Sequence, residues 1–336
     1  MIIKTVSYPR AAMIGNPSDG YFGKTIAFTF ADFQADITLY QSPEIEILPG
    51  RRDTTKFGSL KTLAEDVGNF GYYGGVRLLK AAIKKFYDYS LENDIELDDR
   101  NFTIRYHSSI PLHLGLAGSS SIITACMRAL CAFYGVTIAE HALANLVLSV
   151  ETEELGIGAG LQDRVAQAYQ GIVFMDFDRE LIQSRGYGTY EPLKPKRLPP
   201  LYIAYKTELS EGSEILHNDL CYRFNRGDAD VVAAMEQFGE YTLAVREMFR
   251  TEEYTKLGEV MNANFDLRKS ITMISTENQE MVDAARSVGA SAKFTGSGGA
   301  IIGTFSDEHT DDEQYARVEA ALHEVGARTI KPEIVW

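Results

Sequence analysis

The chain has 336 residues, 45% hydrophobic and 24% charged, with a formal net charge of −14. That composition supplies enough apolar material for two folded domains and makes no case for disorder. The acidic balance argues against general nucleic-acid binding, which needs clustered Lys and Arg, yet a few local cations can still dominate a cleft that holds an anionic substrate.

Residues 2–8 read as a strand and not as a charged n-region followed by an apolar h-region. Gly15-Asn-Pro-Ser-Asp-Gly20 is dense in turn formers. Residues 24–40 read as two strands, with alternation clearest over 36–40, and 45–48 as a short third. Helical spacing puts Val76, Leu79, Ala82, Ile83 and Phe86 on one face of a helix over 74–90. A strand at 101–107 leads into a small-residue run and a long apolar helix ending near Tyr134. A second helix covers 137–154. A Gly-rich turn at 156–160, a helix at 161–169 and a strand at 171–176 follow.

Four of the ten prolines fall within 191–200, which marks the expected boundary between a first domain, 1–195, and a second, 196–336. Beyond it lie a strand at 201–206 and helices near 213–225, 228–250, 254–270 and 277–287. Residues 292–305 read as strand, tight turn, strand, and an acidic helix at 312–325 precedes a final strand. This mixed order favours an α+β protein over a doubly wound sheet. No apolar run approaches the ~20 residues that span a bilayer. Cys126 and Cys131 read as core thiols, and the three cysteines have no metal-ligand spacing and give no disulfide framework, so a reduced cytoplasm is expected.

Gly115-Leu116-Ala117-Gly118-Ser119-Ser120-Ser121 opens the apolar helix. Small residues let backbone approach a ligand, and a helix start offers N–H donors and partial positive charge suited to phosphate. The serine hydroxyls can cap the helix, bind phosphate or ligate Mg²⁺; an ordinary Gly-Ser turn has the same composition. The common P-loop is absent: Phe22-Gly23-Lys24-Thr25 resembles its end, but Ser18 stands where Gly is required. The dinucleotide fingerprint also fails, since Gly156, Gly158 and Gly160 have the wrong spacing and the Gly296-Ser297-Gly298-Gly299 turn lies between strands. Asp163, at the start of a helix, can accept or orient a hydroxyl proton, or simply favour the helix dipole. Glu151 belongs to an acidic group with Glu153 and Glu154. Arg10 precedes Asn16, Ser18 and Asp19, whose side chains can bond sugar hydroxyls or make turns.

Taken in chain order, these segments resemble the GHMP kinase superfamily. Arg10-Ala-Ala-Met-Ile-Gly15 resembles its first motif, residues 111–121 its phosphate loop, with Ala117 as an extra residue, and Lys293–Gly299 its third, Gly-rich motif. Finer strings resemble plant-type glucuronokinases: Gly15-Asn-Pro-Ser-Asp19 with Phe22–Thr25, Tyr72–Arg77, Gly115–Ser120, Ala159–Gln167 and Lys293–Gly299. The resemblance implies a two-domain α+β fold, a ribosomal-protein-S5-like N-terminal half and a ferredoxin-like C-terminal half. It implies ATP and Mg²⁺ as cofactors and a sugar as the small-molecule partner, with no nucleic acid or membrane, in a monomer or homodimer. The implied reaction phosphorylates the anomeric hydroxyl of D-glucuronate.

By the same resemblance, Asp163 and Arg10 are the catalytic residues. Residues Gly115, Leu116, Ala117, Gly118, Ser119, Ser120 and Ser121, with Gly296, Ser297 and Gly298, bind the ATP phosphates. Ser120 and Glu151 meet the metal, with Ser119 as the alternative serine. Asn16, Asp19, Lys24 and Tyr73 face the sugar. Candidates for the carboxylate of a uronic acid are Arg10, Lys24, Arg51, Arg52 and Arg77, and the regions 54–60 and 78–83 are where the fold analogy places adenine. The alternatives are a kinase of the same fold for galacturonate, a heptose phosphate or a neutral hexose, a silent sugar sensor on that scaffold, and a decarboxylase of the mevalonate branch.

Overall fold

The computed structural model describes residues 1–50, 53, 56–70, 74–112, 114–206, 213–305 and 312–336. The chain runs through β1 (Ile2–Ser7), β2 (Arg10–Ile14), a 3₁₀ turn (Ser18–Tyr21), β3 (Lys24–Thr29), β4 (Ala35–Ser42), β5 (Glu46–Leu48), α1 (Leu60–Phe70) and α2 (Gly75–Glu92). It continues through β6 (Asn101–Ser108), α3 (Gly118–Tyr134), α4 (Glu140–Ser149), a π-helical turn (Val150–Glu154), α5 (Leu161–Tyr169), β7 (Ile172–Asp176), α6 (Arg179–Arg185) and β8 (Thr189–Leu193). Then come β9 (Leu201–Tyr205), α7 (Ser213–Arg226), α8 (Ala229–Thr251), α9 (Leu257–Ile271), α10 (Thr276–Ser287), β10 (Lys293–Phe294), β11 (Ala300–Thr304), α11 (Asp312–Glu324) and β12 (Arg328–Ile330). The fold class is α+β, as the sequence predicts.

Two compact units interleave along this path. Residues 1–9, 33–112 and 117–168 form one; residues 10–32, 113–116 and 169–336 form the other. In the first unit the sheet order is β1-β4-β6-β5, antiparallel except for β5 beside β6. Strand β4 shows why: Ala35, Ile37 and Leu39 are buried while Asp36, Thr38 and Tyr40 are half-buried, the period-2 pattern of a sheet with one covered face. Helix α3 covers that face. Its buried Ile122, Ile123, Met127, Leu130 and Phe133 each contribute about 1.5–3 kcal/mol by leaving water. Phe133 also packs edge-on against Phe102 and Tyr134.

The second unit holds two antiparallel sheets, β2-β3-β7-β8 and β10-β11-β9-β12. One core cluster gathers Tyr202, Phe265, Met281, Phe294, Ile301 and Leu322. A second gathers Tyr21, Val231, Met235, Phe238 and Ile271. Strand β2 was not expected from the sequence, because Arg10–Ile14 lacks alternation. It is buried at every residue because its outer edge is covered: Ala12 N–H donates to Thr295 O at 2.9 Å and Arg10 N–H to Leu116 O at 3.2 Å.

Three further elements were unexpected: α1, α6 and β8. The Pro-rich stretch begins inside β8, the edge strand of its sheet, which is where a proline is tolerated in a ladder. The helix expected over 137–154 is α4 followed by the π-helical turn.

Candidate active site

The candidate site residues fall into two clusters, one in each unit. In the first unit, α3 begins at Gly118 directly after Ala117, which sits in the left-handed region at φ 62°. Gln167 Nε2 donates to Ala117 O at 2.9 Å and holds this unusual turn. The first turn of α3 has N–H groups with no intrahelical acceptor, the arrangement that receives phosphate at helix starts. The three serines divide their tasks. Ser119 Oγ donates to Glu151 Oε1 at 2.7 Å. Ser120 Oγ turns back to Ala117 O at 3.1 Å and is fully buried. Ser121 Oγ donates to Tyr8 O and Ala117 O and accepts from Gln167. Of the two serines expected near a metal, Ser119 is the one beside the acid.

Glu151 is 0% exposed. The π-helical turn aims it inward, while its neighbours Glu153 and Glu154 pair with Lys85 and Lys84 at the surface. Arg164 Nε donates to Glu151 Oε2 at 2.7 Å, and Nη2 bonds the same oxygen. The other end of that guanidinium, Nη1, bonds Gly160 O at 2.8 Å and Asp163 Oδ2 at 3.1 Å. Asp163 keeps 18% of its side chain exposed, enough for a ligand to reach it. One arginine thus fixes both acids, and sequence reasoning missed it. Its one sequence signal is a charged residue directly after Asp163 on a short helix.

The donor set suits Mg²⁺. Glu151 supplies one carboxylate and Ser119 one hydroxyl, both hard oxygen ligands, and Mg²⁺ commonly takes one or two carboxylates and fills its shell with substrate phosphates and water. Among the described residues no group of three or more His, Cys, Asp or Glu is placed to hold a metal ion. An open cavity of about 440 Å³ in the same unit is lined by Arg77, Lys80, Ala81, Lys84, Glu154 and Leu155, and so overlaps the 78–83 region. Arg77 Nη2 bonds Leu155 O there at 3.0 Å.

The second cluster surrounds the turn between β10 and β11. Arg10 Nη1 donates to Gly115 O at 2.9 Å and Thr295 O at 2.7 Å. Asn16 Nδ2 donates to Phe294 O and Gly296 O. Lys293 Nζ donates to Asn16 Oδ1 at 2.6 Å, and to Ala12 O and Phe294 O at 2.8 Å each. Arg268 Nη1 donates to Gly296 O at 2.7 Å and Nη2 to Ser297 O at 3.1 Å. A Cβ on Gly296 would stand 2.3 Å from Gly115 O, so this crossing admits only glycine. Gly298 has φ 147° and lies beside Asn278, whose Oδ1 accepts from Gly299 N–H.

Burial lowers the pKa of Arg268 to about 10, with Asp19 and Tyr21 opposing the shift. Burial, with Arg268 and Arg10 nearby, holds Lys293 well below the usual lysine range. Three oxygen acceptors around Nζ match the three donors of an ammonium and favour its charged form against that shift.

Several expected sugar contacts look different here. The Asn16 side chain is 3% exposed and committed to the turn. Lys24 is paired with Asp176 at 2.7 Å. Asp19 lies on the 3₁₀ turn, half-buried, and acts on Arg268 electrostatically. Tyr73, Arg51 and Arg52 lie outside the described residues. Arg268 and Lys293 were missed as site residues. For Arg268 a signal existed: Met261, Phe265, Arg268 and Ile271 share the buried face of α9, so a charge interrupts an apolar stripe.

Residues 77–171 match the GHMP kinases N terminal domain and residues 244–324 the GHMP kinases C terminal domain. Glucuronokinase 1 of Arabidopsis thaliana is 42% identical over 302 residues, 88% of this chain and 83% of that protein. The chain belongs to the GHMP kinase family. Probable glucuronokinase 2 of the same plant is 43% identical over 88% of this chain and 82% of its own length. The fold agrees: Methanococcus jannaschii mevalonate kinase superposes with a TM-score of 0.72 at 21% identity, covering 100% of this chain and 98% of that one. Lactococcus lactis galactokinase, complexed with galactose, gives 0.74 at 15% identity over 99% and 93%. Within the GHMP frame, the first motif lies on β2, the second opens α3 and the third is the β10–β11 turn.

Proposed function

We propose that this chain, an ATP-dependent kinase of the GHMP family, phosphorylates D-glucuronate at its anomeric hydroxyl to give D-glucuronate 1-phosphate and ADP. The observation that carries the acceptor is the 42% identity to a glucuronokinase across 88% of the chain. In this reading the Asp163 carboxylate accepts the hydroxyl proton as the sugar oxygen attacks the γ-phosphorus. The bond from that phosphorus to the bridging oxygen breaks, and its electron pair leaves on ADP. A positioned base typically contributes about 10²–10⁴-fold. Phosphoryl transfer otherwise rests on positioning and charge stabilisation, a task assigned to the helix start at Gly118–Ser121, while the family resemblance assigns Gly296, Ser297 and Gly298 to the ATP phosphates as well. Arg10 is assigned to the negative charge that develops on the acceptor oxygen.

Ser119 and Glu151 would hold Mg²⁺, with Arg164 fixing the carboxylate. Bound there, the ion would supply neutralisation of phosphate charge. Residues 1–195 and 196–336 are assigned as the two GHMP domains, and the family matches at 77–171 and 244–324 support this by falling one on each side. We place the enzyme in the cytoplasm as a monomer or homodimer. No helix among the described residues is long and apolar enough to cross a membrane.

The test is Mg²⁺-dependent ADP release from ATP across glucuronate, galacturonate, glucose, galactose, mannose and mevalonate. Fastest turnover is expected on glucuronate. Preference for another acceptor overturns the acceptor assignment, and no release with any of them, with ATP still bound, overturns the glucuronate assignment and favours an acceptor outside the panel or the silent-sensor reading.

A further inference from the structure

The two oxygens of Glu151 face different partners. Oε1 accepts from Ser119 Oγ at 2.7 Å, at the start of α3. Oε2 accepts two bonds from one guanidinium, from Arg164 Nε at 2.7 Å and from Nη2. That guanidinium reaches further. Its Nη1 bonds Asp163 Oδ2 at 3.1 Å and is anchored by Gly160 O at 2.8 Å. All of these residues belong to the same compact unit. Successive helical residues point about 100° apart, so Asp163 and Arg164 do not meet by being neighbours on α5. To bond both acids, the buried arginine side chain has to fold back between them.

Many enzymes that work on phosphates use two divalent ions about 3.5–4 Å apart, and carboxylates are the usual ligands of such hard cations. Here the position between Glu151 Oε2 and Asp163 Oδ2, which a second ion would take, is filled by a side chain. A guanidinium is a permanent cation with donors fixed in a plane, so it balances the two acids without coordinating them. The difference matters for Asp163. An oxygen bound to a divalent ion is not available to a proton, while one that accepts a single N–H bond retains a lone pair. We infer that Arg164 is a positioning residue that stands in for a second metal ion: it confines Mg²⁺ to the Ser119 side of Glu151 and keeps divalent cations off Asp163. The inference rests on the reading of Ser119 and Glu151 as the Mg²⁺ site and adds the position from which metal is excluded.

The experiment counts metal directly. Mn²⁺ replaces Mg²⁺, and electron paramagnetic resonance counts the tightly bound ions per chain in a stoichiometric complex with a non-hydrolysable ATP analogue. The wild type should hold one ion and Arg164→Gln two. Arg164→Lys, which keeps a cation between the acids, should stay at one. Adding Asp163→Asn to Arg164→Gln should remove the second ion, because the neutral amide is a poor ligand for it. The first ion should weaken about 10-fold in Arg164→Gln, as loss of a group that orients a ligating carboxylate implies. A purely structural arginine would give that weakening without a second ion, and this result overturns the inference. Two ions in the wild type, or a second ion that survives Asp163→Asn, also overturn it. No ion in the wild-type complex overturns the metal-site reading and the inference with it, while ADP release tests the kinase reading separately. If Arg164→Gln is too unstable to titrate, its own folding decides. An ion bound only by the folded state stabilises it by mass action, so Mn²⁺ should raise its melting temperature, or restore its folded circular dichroism, by more than it stabilises the wild type. An equal response from both proteins overturns the inference.

Discussion

The two clusters treat buried charge in opposite ways. In the first unit, Glu151 is sealed from water and answered by the Arg164 guanidinium, which also steadies Asp163. In the second unit, Arg268 and Lys293 are sealed and hydrogen-bonded to neutral oxygens, with the Asp19 charge acting on Arg268. A buried ion pair is balanced by the protein itself, whereas cations held by carbonyl dipoles keep a net charge. The contrast teaches that charge in the first cluster is balanced inside the protein by an ion pair, whereas in the second it is met by backbone carbonyls and an amide oxygen.

The comparison is broken most severely at Asp163. Asp163→Asn removes the proton acceptor and should lower kcat about 10²–10⁴-fold with ATP-analogue binding retained, measured by ADP release and calorimetry. An unchanged kcat would remove the first cluster's claim to the chemistry. Next comes Arg164→Met, which leaves the Glu151 charge buried without its partner. Unfolding in urea should show a loss of about 3–5 kcal/mol. The double variant Arg164→Met with Glu151→Leu should recover much of that loss, since a well-packed apolar pair replaces a buried ion pair at little cost. No recovery would mean that Arg164 stabilises by packing rather than by charge.

How much of this was legible in the sequence follows the same division. The glycine turns, the serine run and Asp163 stand in contiguous strings, so chain order exposed them along with the α+β class. Arg164 and Arg268 act through partners 13 and 28 residues away, Glu151 and Gly296, and no local pattern announces such pairings. Strand β2 escaped for a related reason: its burial comes from Thr295 and Leu116, distant in sequence, and not from alternation of its own side chains. Ser119 and Ser120 are adjacent in the string, and nothing in it says that Ser119, rather than Ser120, bonds Glu151. The π-helical turn was equally hidden, because a one-residue widening of a helix leaves the apolar spacing nearly intact.

The smallest expected effect is the sharpest probe of the second cluster. Lys293→Met strips a desolvated charge and orphans three acceptors, and these terms oppose each other. The net loss of stability near neutral pH should be about 1–3 kcal/mol, below that of Arg164→Met. The pH dependence carries the sign. The folded pKa of Lys293 is depressed by burial and by Arg268 and Arg10, while in the unfolded chain it returns to its ordinary 10.5. Between those two values the unfolded state binds more protons, so the wild type gains stability as pH rises through that window. Lys293→Met has no such gain, and the difference between the two proteins should widen steadily toward pH 10.5. Urea midpoints taken from pH 7 upward measure it. Parallel curves would mean that the carbonyls around Lys293 compensate its burial in full, and the second cluster would then be as balanced as the first.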